Sequence, residues 1–295
     1  MNTRYVTDGG LETELVFHRG FDLPEFAAFP LLDTTEGRAA MRDYYLGYVA
    51  IAIRAGAPIN LETPTWRANP DHAATLGYDA EALDRVNRTA VDFLAEIAAE
   101  RTDELVGHRI SGMIGPRGDG YQSTSVDPDR AAAYHRPQLA SLRSAGADRA
   151  VALTIADVGE AIGITRAAAD VGIPVAIGFT VETDGRLPDG TPLSTAVTTV
   201  DAEAAPEYFL VNCAHPDHIS QAIDDGAWRD RIGGLRVNAS RRSHDELDAA
   251  DTLDDGDPDE LAAVQKPLLE QFGNVVELGG CCGTDARHVA AMWGV

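Results

Sequence analysis

Lysine is almost missing from this sequence. Lys266 stands alone, and the other 23 of the 24 basic residues are arginine. We read this as a bias of composition rather than a mechanism. Basic charge as a whole is scarce, 24 Lys and Arg against 47 Asp and Glu, for a formal net charge of −23. Such a surface excludes the counterion-displacing chemistry of a nucleic-acid binder and attraction to anionic lipid. Long apolar runs are also lacking; none approaches the ~18 residues of a membrane span. The first eight residues, Met1 to Asp8, lack the apolar core of a signal peptide. The expectation is therefore a cytoplasmic protein that binds neither membrane nor nucleic acid. Cysteine is limited to Cys213, Cys281 and Cys282. An odd number with two adjacent is a poor disulfide framework, and a vicinal bridge would be strained. No linker or low-complexity segment divides the chain, so residues 1–295 are expected to form a single domain.

What the sequence does contain is an alternation. Apolar, β-branched runs at Arg4–Thr7, Ala57–Glu62, Arg109–Ile114, Arg149–Ile155, Pro174–Thr180, Tyr208–Asn212, Gly234–Asn238 and Val275–Leu278 read as strands. Between them Arg38–Ala55, Ala80–Glu100, Pro128–Ala145, Val158–Val171, Pro216–Asp224, Pro258–Phe272 and Asp285–Trp293 carry helical spacing, and Ser194–Ala205 does so more weakly. Alternating strands and helices mean βαβ units and a parallel sheet. Eight such units predict an α/β fold, a (β/α)8 TIM barrel, with about 39 residues per unit against roughly 30 in a minimal one. The excess falls after strands one, two and five, in loops at the C-terminal ends of strands. An open doubly wound sheet is the alternative, but no G-x-G-x-x-G follows a strand candidate.

The strand ends carry the chemistry. The sixth strand ends Val211-Asn212-Cys213, and the eighth ends Gly279-Gly280-Cys281-Cys282-Gly283-Thr284. All three cysteines thus fall on one rim of a barrel. Both strands are even-numbered, and alternate strands share an interior layer. Three thiolates gathered there bind Zn²⁺ and leave its fourth position open, as catalytic sites do. The bland alternative is that the cysteines are small buried hydrophobes. Three thiolates leave zinc a weak Lewis acid, badly suited to making hydroxide but suited to binding and deprotonating an incoming thiol. The reaction class that follows is alkyl transfer to a thiol.

These residues resemble the homocysteine S-methyltransferase family. Asp8-Gly9-Gly10-Leu11-Glu12-Thr13-Glu14-Leu15 is similar to its D-G-G-x-x-T-x-L opening. Gly115-Pro116, with Gly118 and Tyr121 beyond, resembles its G-x-x-G-P loop. Tyr134-His135-Arg136-Pro137-Gln138-Leu139 resembles its Y/F-H-x-x-Q/R-L helix. Val211-Asn212-Cys213 is similar to its V-N-C strand, and Gly279 to Thr284 to its G-G-C-C-G-T. The resemblance implies a TIM barrel and zinc held by Cys213, Cys281 and Cys282. It also implies a pocket of Asp8, Gly9 and Gly10 for the amino-acid end of homocysteine, with Asn212, Thr63 and Asn238 as further lining residues. One departure stands out. Family members commonly read E-T-I-P at the end of strand four, where the glutamate meets the substrate's ammonium. This chain reads Leu153-Thr154-Ile155-Ala156. Asp8, Glu62 and Asp157 are the candidates to replace that carboxylate; otherwise the acceptor is another thiol, or the barrel is a zinc lyase or hydrolase.

The expected small-molecule partners are a thiol and a methyl donor. The resemblance orders the donors as S-methylmethionine, then S-adenosylmethionine or betaine. A cationic donor needs an aromatic wall, for which Trp66, Tyr121 and Phe17 are candidates. A homo-oligomer stays open. His215 and His218 are expected in the first turn of a helix near solvent rather than on a metal. The acidic run Asp245–Asp259 reads as a solvated loop, and Gly185–Thr191 as a loop over the barrel mouth.

Overall fold

The β-branched runs become eight parallel strands closed into a barrel in strict chain order in the computed structural model, which describes residues 3–122 and 125–295. The strands are β1 (Tyr5–Val6), β2 (Ile59–Glu62), β3 (His108–Ile114), β4 (Arg149–Ile155), β5 (Val175–Phe179), β6 (Phe209–Asn212), β7 (Ile232–Val237) and β8 (Glu277–Gly280). The principal helix after each strand is α1 (Thr35–Ala55), α2 (Ala80–Glu100), α3 (Pro128–Ser144), α4 (Val158–Val171), α5 (Leu193–Glu203), α6 (Pro216–Gln221), α7 (Pro258–Phe272) and α8 (Ala286–Trp293). This is the (β/α)8 TIM barrel. Among the described residues no helix is long and apolar enough to cross a membrane.

Local rules explain the helices. In α2 the Asp79 carboxylate accepts from Ala82 N at 2.9 Å and caps the N-terminus. Leu83, Val86, Ala90, Phe93, Leu94 and Ile97 then recur on one buried face. Strand ends differ from the expectation; β2 begins at Ile59 and β7 at Ile232, and two further cases have a plain cause. β1 is only two residues long. β8 extends through Gly279 and Gly280, because both still pair in register with Arg236 and Val237 of β7. Glycine reads as a breaker in sequence, but the ladder asks only for its backbone.

The barrel interior is divided. On one side Met113, Val151, Leu153, Ala176 and Leu210, from β3 to β6, form a small apolar cluster of their own. On the other side Asn60 and Glu62 of β2, Arg236 of β7 and Glu277 of β8 are all buried. Asn60 Nδ2 donates to Glu62 Oε1 at 3.0 Å and to Glu277 Oε1 at 2.9 Å. Glu277 in turn pairs with Arg109 and lies 3.6 Å from Arg149 Nη1. Outside the strands the main core lies between barrel and helices, with Ile59, Leu61, Ala150 and Ala152 facing outward into it. That is the strict alternation a parallel barrel imposes.

Candidate active site

Two strand ends deliver the sulfurs. β6 stops at Asn212, and Cys213 follows with φ of 55°, in the left-handed region. That conformation is costly for a residue with a Cβ and turns the side chain in over the rim. β8 stops at Gly280, where any Cβ would collide with Thr284 Oγ1. Gly283, at φ 77°, completes the bend. The flanking glycines are thus required by crowding at one end and by backbone sign at the other. Between them Cys281 and Cys282 turn toward Cys213. The Cys213 Sγ lies 3.1 Å from Cys281 Sγ and 3.5 Å from Cys282 Sγ, and all three sulfurs lie within 4.8 Å of one another. Close contact with its two neighbours pulls Cys281 well below the ordinary thiol range, while contact with Cys281 pushes Cys213 up and contact with both others pushes Cys282 up.

The sulfurs are braced from behind. Asn212 is fully buried. Its Oδ1 accepts from Thr154 N at 2.9 Å, its Nδ2 donates to Thr154 Oγ1 at 2.9 Å, and the same Nδ2 reaches Cys281 Sγ at 3.9 Å. One amide therefore ties the ends of β4 and β6 to a sulfur on β8. The Tyr121 hydroxyl contacts Cys213 Sγ at 3.2 Å, and its ring stacks on His244 at 4.0 Å between centroids. His244 bonds the Cys213 carbonyl at 2.7 Å and the Glu182 carboxylate at 2.9 Å.

Below the rim, Arg236 occupies the polar side of the barrel. Its Nε donates to Gly280 O at 3.0 Å, and its Nη1 and Nη2 pair with Glu62 and Asp8. Burial works against its charge, but Asp8 and the nearby thiolate of Cys281 outweigh that, and the guanidinium is held above its usual value. A cavity of about 600 Å³ opens above these groups. Asp8, Gly9, Gly10, Asn238 and all three cysteines line it, as do Trp66, Tyr121 and Phe17.

The family model described as homocysteine S-methyltransferase matches residues 5–294. The chain belongs to the homocysteine S-methyltransferase family. It is a methyltransferase. The homocysteine S-methyltransferase YbgG of Bacillus subtilis is 26% identical, over 98% of this chain and 93% of its own. The metallated form of the homocysteine methyltransferase MmuM from Escherichia coli superposes with a TM-score of 0.75 at 22% identity, covering 99% of this chain and 96% of its own. The oxidised form of MmuM gives 0.77 at the same identity, covering 99% and 95%.

A metal ion fits the three-cysteine cluster. Tetrahedral zinc with Zn–S bonds of ~2.3 Å spaces its sulfurs by roughly 3.8 Å. The contacts of 3.1 and 3.5 Å need to open by roughly 0.7 and 0.3 Å to reach it. An all-thiolate set is soft and suits zinc. His215 and His218 do not join it. His215 is the N-cap of α6, accepting from Asp217 N at 3.2 Å, and burial pushes its pKa down to about 4. It lies away from solvent, unlike the expectation, because Pro216 and Ile219 bury the same turn. His218 bonds Arg241 O.

Other residues fall in places the sequence did not suggest. Thr63 is fully buried, bonded to Thr65 Oγ1 at 2.6 Å and accepting from Met113 N at 2.8 Å. It supports the wall rather than facing the cavity. The segment after β7, within the acidic run, supplies Leu247, Asp248, Leu253 and Asp254 to the cavity wall and is not merely solvated. The Gly185–Thr191 loop folds on itself through Arg186 and Pro192, with Gly185 against the backbone of Ala222. The carboxylates expected to stand in at Leu153 are otherwise engaged. Asp8 and Glu62 serve Arg236, and Asp157 caps α4 through Gly159 N and Glu160 N. Sequence reasoning missed Arg236, His244 and the cavity role of Glu12. A lone arginine inside the apolar run of β7 was the available signal for the first.

Proposed function

We propose that this enzyme transfers a methyl group from a small onium donor to the thiol of homocysteine, giving methionine, with zinc held by Cys213, Cys281 and Cys282. S-methylmethionine is the favoured donor, ahead of S-adenosylmethionine and betaine. The observation that carries the reading is the set of three sulfurs within 4.8 Å of one another, facing an open cavity. Zinc bound there supplies deprotonation of a thiol that is mostly protonated at neutral pH when free, with a pKa near ~8.5.

The chain's own residues do the rest. Asn212 fixes the direction of Cys281, and Thr63 stiffens the strand-two end beside Met113. Asp8, Gly9 and Gly10 shape the end of the cavity that takes the amino-acid part of the acceptor, and Asn238 offers a buried, unpartnered Oδ1 among the described residues. Trp66, Tyr121 and Phe17 line the cavity as the aromatic residues a cationic donor would meet, with Arg67 over one face of Trp66 at 4.0 Å and His244 stacked on Tyr121. In the transfer, the bond from methyl carbon to the onium atom breaks and its electron pair stays on the donor, which leaves neutral. A lone pair of the acceptor sulfur forms the new bond, and the thiol proton has already passed to solvent. The same thiol chemistry suits a reducing, cytoplasmic setting.

The test is direct. Incubation of zinc-loaded protein with homocysteine and each donor in turn is expected to yield methionine, with S-methylmethionine most active. Cys282→Ala is expected to lose bound zinc and transfer together. Absence of methionine with every donor rejects the acceptor, and full activity of metal-free Cys282→Ala rejects the zinc role.

A further inference from the structure

The cavity carries a carboxylate that no side chain of the protein pairs with among the described residues. Glu12 lines it from the short helical turn after β1, half-buried. Among the described residues no side chain pairs with it; its polar neighbour is its own backbone amide. Three other acids around the cavity are committed, and Asp248, on the segment after β7, lies near the His244 side chain. Asp8 is paired with Arg236, Asp254 accepts from Ser240 Oγ at 2.7 Å, and Asp119 accepts from Tyr121 N at 2.9 Å. The opposite wall, at the end of β4, is apolar where Leu153 stands.

Glu12 is also held in place. Its neighbour Thr13 donates to Gly10 O at 2.9 Å and accepts from Gly283 N at 3.2 Å. Gly10 N donates to Thr284 O at 2.9 Å. The Glu12 segment is thereby stitched to the turn that carries Cys281 and Cys282. A carboxylate fixed beside a thiol-binding centre, without a cation of its own, is a receptor for a cation on the thiol-bearing molecule. Leaving a charge partly buried and unpaired is costly; a ligand that brings the countercharge recovers that cost on binding.

We propose that Glu12 is the specificity-determining residue that receives the ammonium group of the acceptor thiol. The assignment deepens, and rests on, the reading of the acceptor as an amino-acid thiol. Burial, with Asp8 and Cys281 nearby, pushes the Glu12 carboxyl up to about 7, although its own backbone amide and the Arg236 charge pull it down. Asp8 and Glu62 do not compete for the role, since Arg236 is already paired with both. Asn238 contributes a neutral acceptor and cannot balance the charge.

The experiment compares two thiols that differ only in the amino group, homocysteine and 4-sulfanylbutanoate. Calorimetric binding of each to the zinc-loaded full chain is measured for wild type, Glu12→Gln and Glu12→Asp. Wild type is expected to prefer homocysteine. Glu12→Gln is expected to weaken homocysteine by about tenfold or more while leaving 4-sulfanylbutanoate nearly unchanged. Glu12→Asp is expected to keep part of the preference, and neither substitution should alter zinc content. The assignment is overturned if wild type has no preference, or if Glu12→Gln weakens both thiols equally or neither. Failure of the methyl-transfer reading shows separately, as wild type that binds homocysteine but forms no methionine.

Discussion

Asn212 makes its hydrogen bonds at the point where three strands meet, and its amide cannot be replaced by a side chain that lacks either half. Asn212→Ala leaves Thr154 N and Oγ1 buried without their partner, a loss of about 1–3 kcal/mol. It also frees Cys281 to move. Residues that orient metal ligands typically control affinity by about 10–100-fold, so chelator competition should show zinc leaving this variant more readily by a factor of that order. Zinc retention equal to wild type would mean that the amide is only structural. At this scale the cysteines were legible from sequence, because thiols at strand ends between glycines announce themselves by residue type. Arg236, Glu12 and His244 were not. Arg236 meets Asp8 across 228 positions of chain, and the meeting is made by barrel closure, which no local pattern encodes.

The elements were easier to read than their ends. β4, α2, α4 and α7 follow their apolar spacing residue for residue, because a stripe or run must face a core to pay its ordering cost. β1 and β8 moved because pairing partners, not propensity, decide where a ladder stops. Helix α8 begins with a capping box in which Asp285 accepts from Arg287 N at 2.9 Å and His288 reaches back to the Asp285 backbone. Burial tends to raise the Asp285 pKa, but hydrogen bonds from His288 and Arg287 outweigh it and hold the carboxyl well below its usual range. A depressed carboxyl stabilises the fold above the unfolded-state value, near ~3.9, and loses that contribution as pH falls below it toward the folded-state value. Asp285→Ala should therefore cost about 0.5–2 kcal/mol at neutral pH. In chemical denaturation the gap between wild type and variant should shrink below about pH 4. A gap that stays constant on acidification would exclude the charge as its source.

At the scale of the whole molecule, the buried ion pairs of Arg236 join β7 to the ends of β1 and β2 through the barrel interior. Arg236→Leu leaves two buried carboxylates without a cation and is expected to destabilise by about 3–5 kcal/mol, visible as a lower midpoint in urea. Restoration by Arg236→Leu combined with Asp8→Asn and Glu62→Gln would assign the loss to unpaired charge; no recovery would assign it to packing. The general architecture was legible in advance because eight repeats of one pattern leave few closed arrangements. The polar half of the interior was not, since each of its members reads alone as an exception within an apolar strand.

The first strand holds only one registered pair with β2 and two with β8. The ring is therefore thinnest at the β1–β2 edge. On its other side the chain goes on bonding past the end of β1, Gly280 N to Asp8 O at 2.9 Å and Gly10 N to Thr284 O at 2.9 Å. The turn that carries Cys281 and Cys282 thus doubles as the clasp that shuts the circle.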